Sequence, residues 1–219
     1  MTDAPYILYG DEGSGSGPVE MALAEIGAPV ELRRVPLEGD HQLAAEYRRI
    51  NPMGRIPTLV LPDGTVVTEL IAILLTLDDR HRAAGLLPAP GEPARAVALR
   101  WTALLCGEFY PHVTRWDYPD RFLPGADPAQ VQALRDRAQA MGRDILRLIE
   151  TQALTGPGPY LLADRFSLAD LVIATLSRWI GGRQWTPTNC PRIEALAQAV
   201  AARPATAAIW RRHRLESAA

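Results

Sequence analysis

The sequence NPMGRIPTLVLPDGTVVTEL, residues 51–70, carries the pattern that decides the fold. Thr58 to Leu61 and Val66-Val67 are short runs of strand formers on either side of Pro62-Asp63-Gly64, whose residues supply the backbone angles of a tight turn. They read as a β-hairpin. Asn51-Pro52 closes the segment before it, because a proline disfavours helical angles in the residue it follows. Glu69 opens a helix that runs on through apolar Leu70 to Leu77, is interrupted only by Thr76, and meets Asp78-Asp79.

Upstream, Tyr6 to Tyr9 reads as a strand that stops at Gly10-Asp11-Glu12-Gly13 and a glycine-serine stretch. Pro18 suits a first helical turn, and Val19, Ala22, Leu23 and Ile26 repeat at helical spacing up to Gly27, a natural stop. Val30 and Leu32 alternate with charges as a second strand does, and Leu43, Tyr47 and Ile50 follow at helical spacing. The order β-α-β-α-β-β-α within about eighty residues is the thioredoxin-like arrangement, in which a parallel crossover is followed by an antiparallel pair.

Downstream, proline-rich Leu87 to Pro93 marks a linker, and beyond it nothing reads as a strand. Val131, Leu134, Ala138, Met141, Ile145 and Leu148 alternate steps of three and four, the apolar stripe of a long amphipathic helix. Ser167 precedes Asp170 by three residues and lies between Phe166 and Leu171, which is the signature of a capping box with a hydrophobic staple. The expected class is therefore α/β plus all-α: an N-terminal thioredoxin-like domain over residues 1–82, a linker over 83–93, and a helical-bundle domain over 94–219.

Composition narrows the function. With 47% hydrophobic and 22% charged residues in 219, the chain can bury a core. Its 23 basic and 25 acidic residues leave a net charge of -2, too balanced for a general nucleic-acid binder. Every basic residue is arginine, so neither a lysine Schiff base nor a P-loop lysine is available. Cys106 and Cys190 form no C-x-x-C pair, and His41, His81, His112 and His213 lack ligand spacing, so both thiols read as packed and no metal is expected. No apolar run reaches the roughly 18 residues of a membrane span, and acidic Asp3 stands where a secretory signal is basic, so the cytoplasm is the expected compartment.

Three segments in order resemble the cytosolic glutathione transferases: Asn51 to Leu59 resembles the stretch leading into the family's cis-proline, Thr68 to Ile73 stands where its Glu-Ser pair opens a helix, and Ala163 to Asp170 is similar to its capping-box helix. The resemblance, nearest to the bacterial classes with a serine or cysteine at the thiol, covers nearly the whole chain. It implies a glutathione S-transferase that ionises the glutathione thiol for attack on a small apolar electrophile, works as a two-fold homodimer, and needs no metal, membrane or nucleic acid. Carried over residue by residue, it places glutathione against Arg55, Ile56, Pro57, Glu69 and Leu70. The thiol partner falls on Ser14 first, then Ser16 or Tyr9, and the electrophile pocket on Phe109, Tyr110, Trp116 and Tyr118.

The physics of such a site stands independently of the resemblance. A cis-Pro57 leaves the Ile56 backbone open to pair with a short extended peptide. The Glu69 carboxylate at a helix start can accept from a ligand ammonium, and the helix N-terminus attracts a carboxylate. Leu70 departs from the family, since the hydroxyl of the usual serine is missing while the backbone N–H is kept. That departure sustains an alternative, a transferase-like fold serving as a non-catalytic binding or structural module. A dinucleotide-binding reading of Gly13, Gly15 and Gly17 fails on spacing, G-x-G-x-G-P in place of G-x-G-x-x-G.

Overall fold

The computed structural model describes residues 4–217, so Asp3 lies outside the described residues. The first compact unit runs through Leu87 and takes back Ala201–Leu215. It contains β1 (Tyr6–Gly10), α1 (Ser16–Ile26), β2 (Val30–Arg34), α2 (Ala45–Arg48), β3 (Thr58–Val60), β4 (Val66–Thr68) and α3 (Leu70–Arg80), the order read from the sequence. Among the described residues the strands form one four-stranded sheet in the order β2-β1-β3-β4. β1 pairs parallel with β2, while the β1/β3 and β3/β4 pairs are antiparallel.

Burial follows the periodicities. Tyr6 and Leu8 on β1 are buried while Ile7 and Tyr9 are half-buried, the period-two alternation of a strand with one covered face. On α1, Val19, Ala22 and Leu23 are fully buried, and the helix ends at left-handed Gly27, whose N–H bonds back to the last turn. On α3, Ile73, Leu74 and Leu77 are fully buried, and α1 packs against α3.

Between β2 and β3 the spacing of Leu43, Tyr47 and Ile50 resolves into a 3-10 turn, His41–Leu43, and the single-turn helix α2. Ala44, with φ -59° and ψ 142°, breaks the helical path between the two, and Asn51-Pro52 ends the second. Tyr47 nonetheless buries its ring with Val35 and Ile56, and half-buried Tyr9, Leu37 and Ile50 pack around them.

The second unit starts at Pro88 and is helical: α4 (Pro93–Leu104), a π-helical turn (Leu105–Phe109), α5 (Tyr110–Asp117), α6 (Pro128–Gln152), α7 (Leu168–Leu176), α8 (Gly182–Asn189) and α9 (Pro191–Ala202), the last of which runs into the first unit's returning segment. The capping box is where the sequence puts it. The fully buried Asp170 carboxylate accepts the Ser167 N–H and the Leu161 N–H at 2.7 Å each, and the Ser167 hydroxyl at 3.0 Å.

The stripe on α6 is corrected. Met141 and Leu148 are 37% and 42% exposed, and the buried positions are Ala138, Gly142, Leu146 and Ile149. Gly142 is the reason: a Cβ there would stand 3.3 Å from both Phe109 and Ile180, so the helix turns the face of Gly142, Leu146 and Ile149 to the core and leaves Met141 and Leu148 toward solvent. The last helix, α10 (Ala207–Arg212), lies in the segment that returns to the first unit and packs on α1. Arg203, in the same segment, holds Glu25 of α1 through two 2.7 Å hydrogen bonds.

Candidate active site

Sheet register gathers the expected residues. Tyr9 pairs with Thr58 and Thr58 with Thr68, so one row crosses three strands. The loop carrying Ser14 leaves β1 just beyond this row, Pro57 enters β3 just before it, and Glu69 follows β4 directly. Two strand spacings make the row about 10 Å wide, the reach of an extended tripeptide at about 3.3 Å per residue.

The Ile56-Pro57 peptide is cis, as expected. Tyr47 and Asn51 brace it from below, each donating to the Arg55 carbonyl at 2.8 Å and each bonded to the Thr58 hydroxyl, at 2.8 and 3.2 Å. Burial raises the Tyr47 phenol above its usual range despite those bonds, so it remains a neutral donor. Among the described residues no hydrogen bond uses the Ile56 N–H or carbonyl, while the Arg55 side chain points into solvent-exposed territory.

Glu69 is exposed and holds φ 69° and ψ 120°, a conformation that side-chain-bearing residues rarely take. Such a backbone costs about 1–3 kcal/mol and collects at ligand sites. Leu70 is the first residue of α3 and its side chain is buried. Its backbone N–H belongs to the first turn, whose N–H groups have no intrahelical partner.

The thiol candidates differ in their surroundings. Ser14 Oγ accepts the Asp11 and Ser16 N–H groups, both at 3.2 Å, and donates to the Asp11 carbonyl at 2.7 Å. Ser16 Oγ lies 2.9 Å from Ser14 Oγ and 3.2 Å from the same carbonyl. Both are buried, at 6% and 3% exposure. Ser16 also faces a separate cavity of about 170 Å³, with Leu8, Gly10, Glu20, Leu32 and His213 in its wall. Neither Ser14, Pro57 nor Glu69 lines that cavity. Gly10 is required beside it, since a Cβ would come 2.3 Å from the Ser16 side chain. Tyr9 is half-buried, its hydroxyl accepts from Arg33 at 2.8 Å, and its ring lies 5.8 Å from that of Tyr47.

In the second unit the aromatic candidates separate. Phe109, in the π-helical turn, is fully packed in the core at Gly142. Tyr110 is half-buried, edge-on to Trp179 at 5.2 Å. Trp116 and Tyr118 are also half-buried; the Trp116 carbonyl accepts from Arg135, and Arg121 covers the Tyr118 ring at 3.8 Å. Cys190 is fully buried, and burial together with Glu150 pushes its thiol up to about 11. Among the described residues no group of His, Cys, Asp and Glu could hold a metal ion, and no helix is long and apolar enough to cross a membrane.

Two participants were missed. The Asp11 carboxylate takes Arg34 at 2.8 Å and the Leu37 N–H at 3.0 Å, while its carbonyl receives both serines. His213 accepts the Gly13 N–H on Nδ1 at 3.1 Å and meets Glu20 Oε2 with Nε2 at 3.1 Å. Burial, with Arg212 alongside, pushes the His213 imidazole from 6.5 down to about 4, outweighing Glu12 and Asp11. Between those values the unfolded chain binds a proton at this residue that the folded chain refuses, so the contribution of His213 to stability falls by about 3 kcal/mol as pH drops from about 6.5 to about 4. The buried Asp170 carboxyl, raised to about 6, contributes with the opposite sign over the same window, so the His213 loss is read as a difference: in urea unfolding the wild type should lose about 3 kcal/mol relative to His213→Asn as pH falls from about 6.5 to about 4.

The family description "Glutathione S-transferase, N-terminal domain" matches residues 16–80. The uncharacterized GST-like protein YncG of Escherichia coli K12 is 30% identical over 211 residues, 95% of this chain and 98% of that protein. A glutathione transferase homolog from Sulfitobacter, solved with bound glutathione, is 27% identical with a TM-score of 0.84, covering 94% of this chain and 97% of that one. A sphingomonad glutathione S-transferase complexed with glutathione is 27% identical with a TM-score of 0.76, covering 95% and 99%.

Proposed function

Because the chain belongs to the cytosolic glutathione S-transferase family, we propose that it is a cytoplasmic glutathione S-transferase, binding glutathione across the Tyr9–Thr58–Thr68 row and presenting its thiolate to a small apolar electrophile. The observation that carries this reading is the cis Ile56-Pro57 turn with its unengaged Ile56 main chain, at the same end of the sheet as Ser14 and Glu69. Relatives solved with glutathione over nearly their whole length support it.

In this mechanism the Ile56 N–H and carbonyl pair with the cysteinyl residue, Glu69 accepts from the γ-glutamyl ammonium, and the Leu70 N–H holds the γ-glutamyl carboxylate. A free thiol of pKa about 8.5 is only a few per cent ionised at neutral pH, and lowering that by two units takes about 2.7 kcal/mol. A hydrogen bond to a charged group supplies about 1.5–3 kcal/mol. Ser14 is suited to donate it: two N–H groups occupy its oxygen from behind, and its one proton can turn from the Asp11 carbonyl to the sulfur. The thiol proton leaves to solvent. Tyr110, Trp116 and Tyr118 are assigned to the electrophile, with Phe109 anchoring their turn from the core. The same reading carries a two-fold homodimer, to be checked by light scattering at micromolar concentration.

A second reading, a binding or structural module, is favoured by the burial of Ser14 and by the loss of the serine hydroxyl at Leu70. Calorimetric titration with glutathione separates the two. The wild type should bind. Since Glu69 is exposed, Glu69→Ala should weaken binding by about 1–2 kcal/mol, or about 5- to 30-fold. Leu70→Ser should tighten binding a few-fold while lowering stability by about 2–4 kcal/mol, because a buried leucine is lost. Absence of binding at millimolar glutathione in all three proteins would leave the module reading.

A further inference from the structure

Gly13 and His213 are 200 residues apart, and the contact between them bears on the thiol loop. His213 is 3% exposed, and both ring nitrogens are used. Because Nδ1 accepts the Gly13 N–H, the ring proton must sit on Nε2, where it is donated to Glu20 Oε2. Arg212 holds the other oxygen of that carboxylate, so the orientation of the imidazole is set from α1 and α10 together. The approach is close: a Cβ on Gly17, in the first turn of α1, would stand 3.1 Å from His213 Nδ1.

On its other side Gly13 leads directly into Ser14. The Ser14 N–H bonds to the Asp11 carbonyl and the Gly17 N–H to the Ser14 carbonyl, both at 3.2 Å. Asp11 is itself fixed through its carboxylate by Arg34 and the Leu37 N–H. The loop is thus fastened before Ser14 at Asp11 and Gly13 and behind it at Gly17. Gly13 has a left-handed φ of 73°, which suits glycine and which the imidazole bond helps to hold.

We infer that His213 is a positioning residue of this transferase: by accepting the Gly13 N–H on Nδ1 it holds the β1–α1 loop in the one arrangement in which the Ser14 hydroxyl is backed by two N–H groups and free to turn its proton to a thiolate. The inference rests on the proposed thiol chemistry for its catalytic consequence, and on the Gly13–His213 geometry alone for its structural one.

Side-chain replacements can separate the two faces of the ring. In His213→Asn the amide oxygen reaches the place of Nδ1, and in His213→Gln the longer amide reaches the place of Nε2. Steady-state turnover of glutathione with a small electrophile should fall about 10- to 100-fold in kcat for His213→Gln, with KM for glutathione within about threefold, because the loop arrangement serves the ionised sulfur rather than binding. His213→Asn should keep kcat within about threefold of the wild type. Gly17→Ala, whose Cβ would stand 3.1 Å from Nδ1 and push the ring by a few tenths of an ångström while placing a better helix former in α1, should lower kcat in the same direction by a smaller factor. A purely structural histidine would lower kcat in both replacements in step with their stability, and that result, or wild-type kcat in His213→Gln and Gly17→Ala, overturns the inference.

Amide hydrogen exchange read at Gly13 in the unliganded protein makes the outcome independent of catalysis. Exchange should quicken about tenfold or more in His213→Gln, by a smaller factor in Gly17→Ala, and stay near the wild-type rate in His213→Asn. If the wild type proves to have no transferase activity yet this exchange pattern holds, the functional reading fails and the clamp stands; unchanged exchange in all variants refutes the clamp.

Discussion

Replacing Ser14 by alanine is expected to lower turnover by about ten- to a thousandfold while leaving glutathione affinity within a few-fold. The asymmetry follows from when the hydrogen bond matters. A neutral thiol gains little from a hydroxyl, whereas a thiolate gains about 1.5–3 kcal/mol, so the bond contributes to the reactive state and not to ground-state binding. Ser14 has this capacity because its oxygen already accepts the Asp11 and Ser16 N–H groups, leaving its own proton as the donor. Ser16→Ala should act much less, since Ser16 lines the neighbouring cavity and its hydroxyl is bonded within the loop to the Asp11 carbonyl and Ser14. Full activity in Ser14→Ala with loss in Tyr9→Phe would move the role to the Tyr9 hydroxyl, which now accepts from Arg33.

The largest expected effect on stability lies in the second unit. Asp170→Ala removes the acceptor of two backbone N–H groups and one hydroxyl, all in a fully buried setting. Stranded buried donors cost about 1–3 kcal/mol each before any relaxation, and a total of about 3–5 kcal/mol is expected. For a chain of this size that lowers Tm by about 6–20 °C, readable by differential scanning calorimetry. Asp170→Asn, which keeps one acceptor oxygen, should lie between alanine and wild type.

What could be read from the sequence was local. The hairpin around Asp63-Gly64 and the Ser167–Asp170 box each declare themselves within a few residues, because turn and cap chemistry is decided by neighbours in the chain, whereas the cis bond at Pro57 is expected only from the family resemblance of the stretch around it. The α6 stripe was legible in period but not in phase. Glycine does not count as apolar in such a pattern, and only the ring of Phe109 seated at Gly142 shows that this face is the buried one. Ser14 and Ser16 could not be told apart in a glycine-serine loop, since their difference is which neighbours surround them. The return of Ala201–Leu215 to the first unit, and with it the His213 contact to Gly13, has no local signal at all.

The most direct test is the ionisation of the glutathione thiol on the protein, followed by thiolate absorbance in the ultraviolet as pH is raised through wild-type and Ser14→Ala complexes. Bound glutathione should ionise about two units below the free thiol's roughly 8.5 in the wild type, and near the free value in Ser14→Ala. A bound thiol that ionises at its free value in both proteins, or the same lowered value in both, would contradict the assignment of Ser14 as the group that makes this chain a thiol-activating transferase.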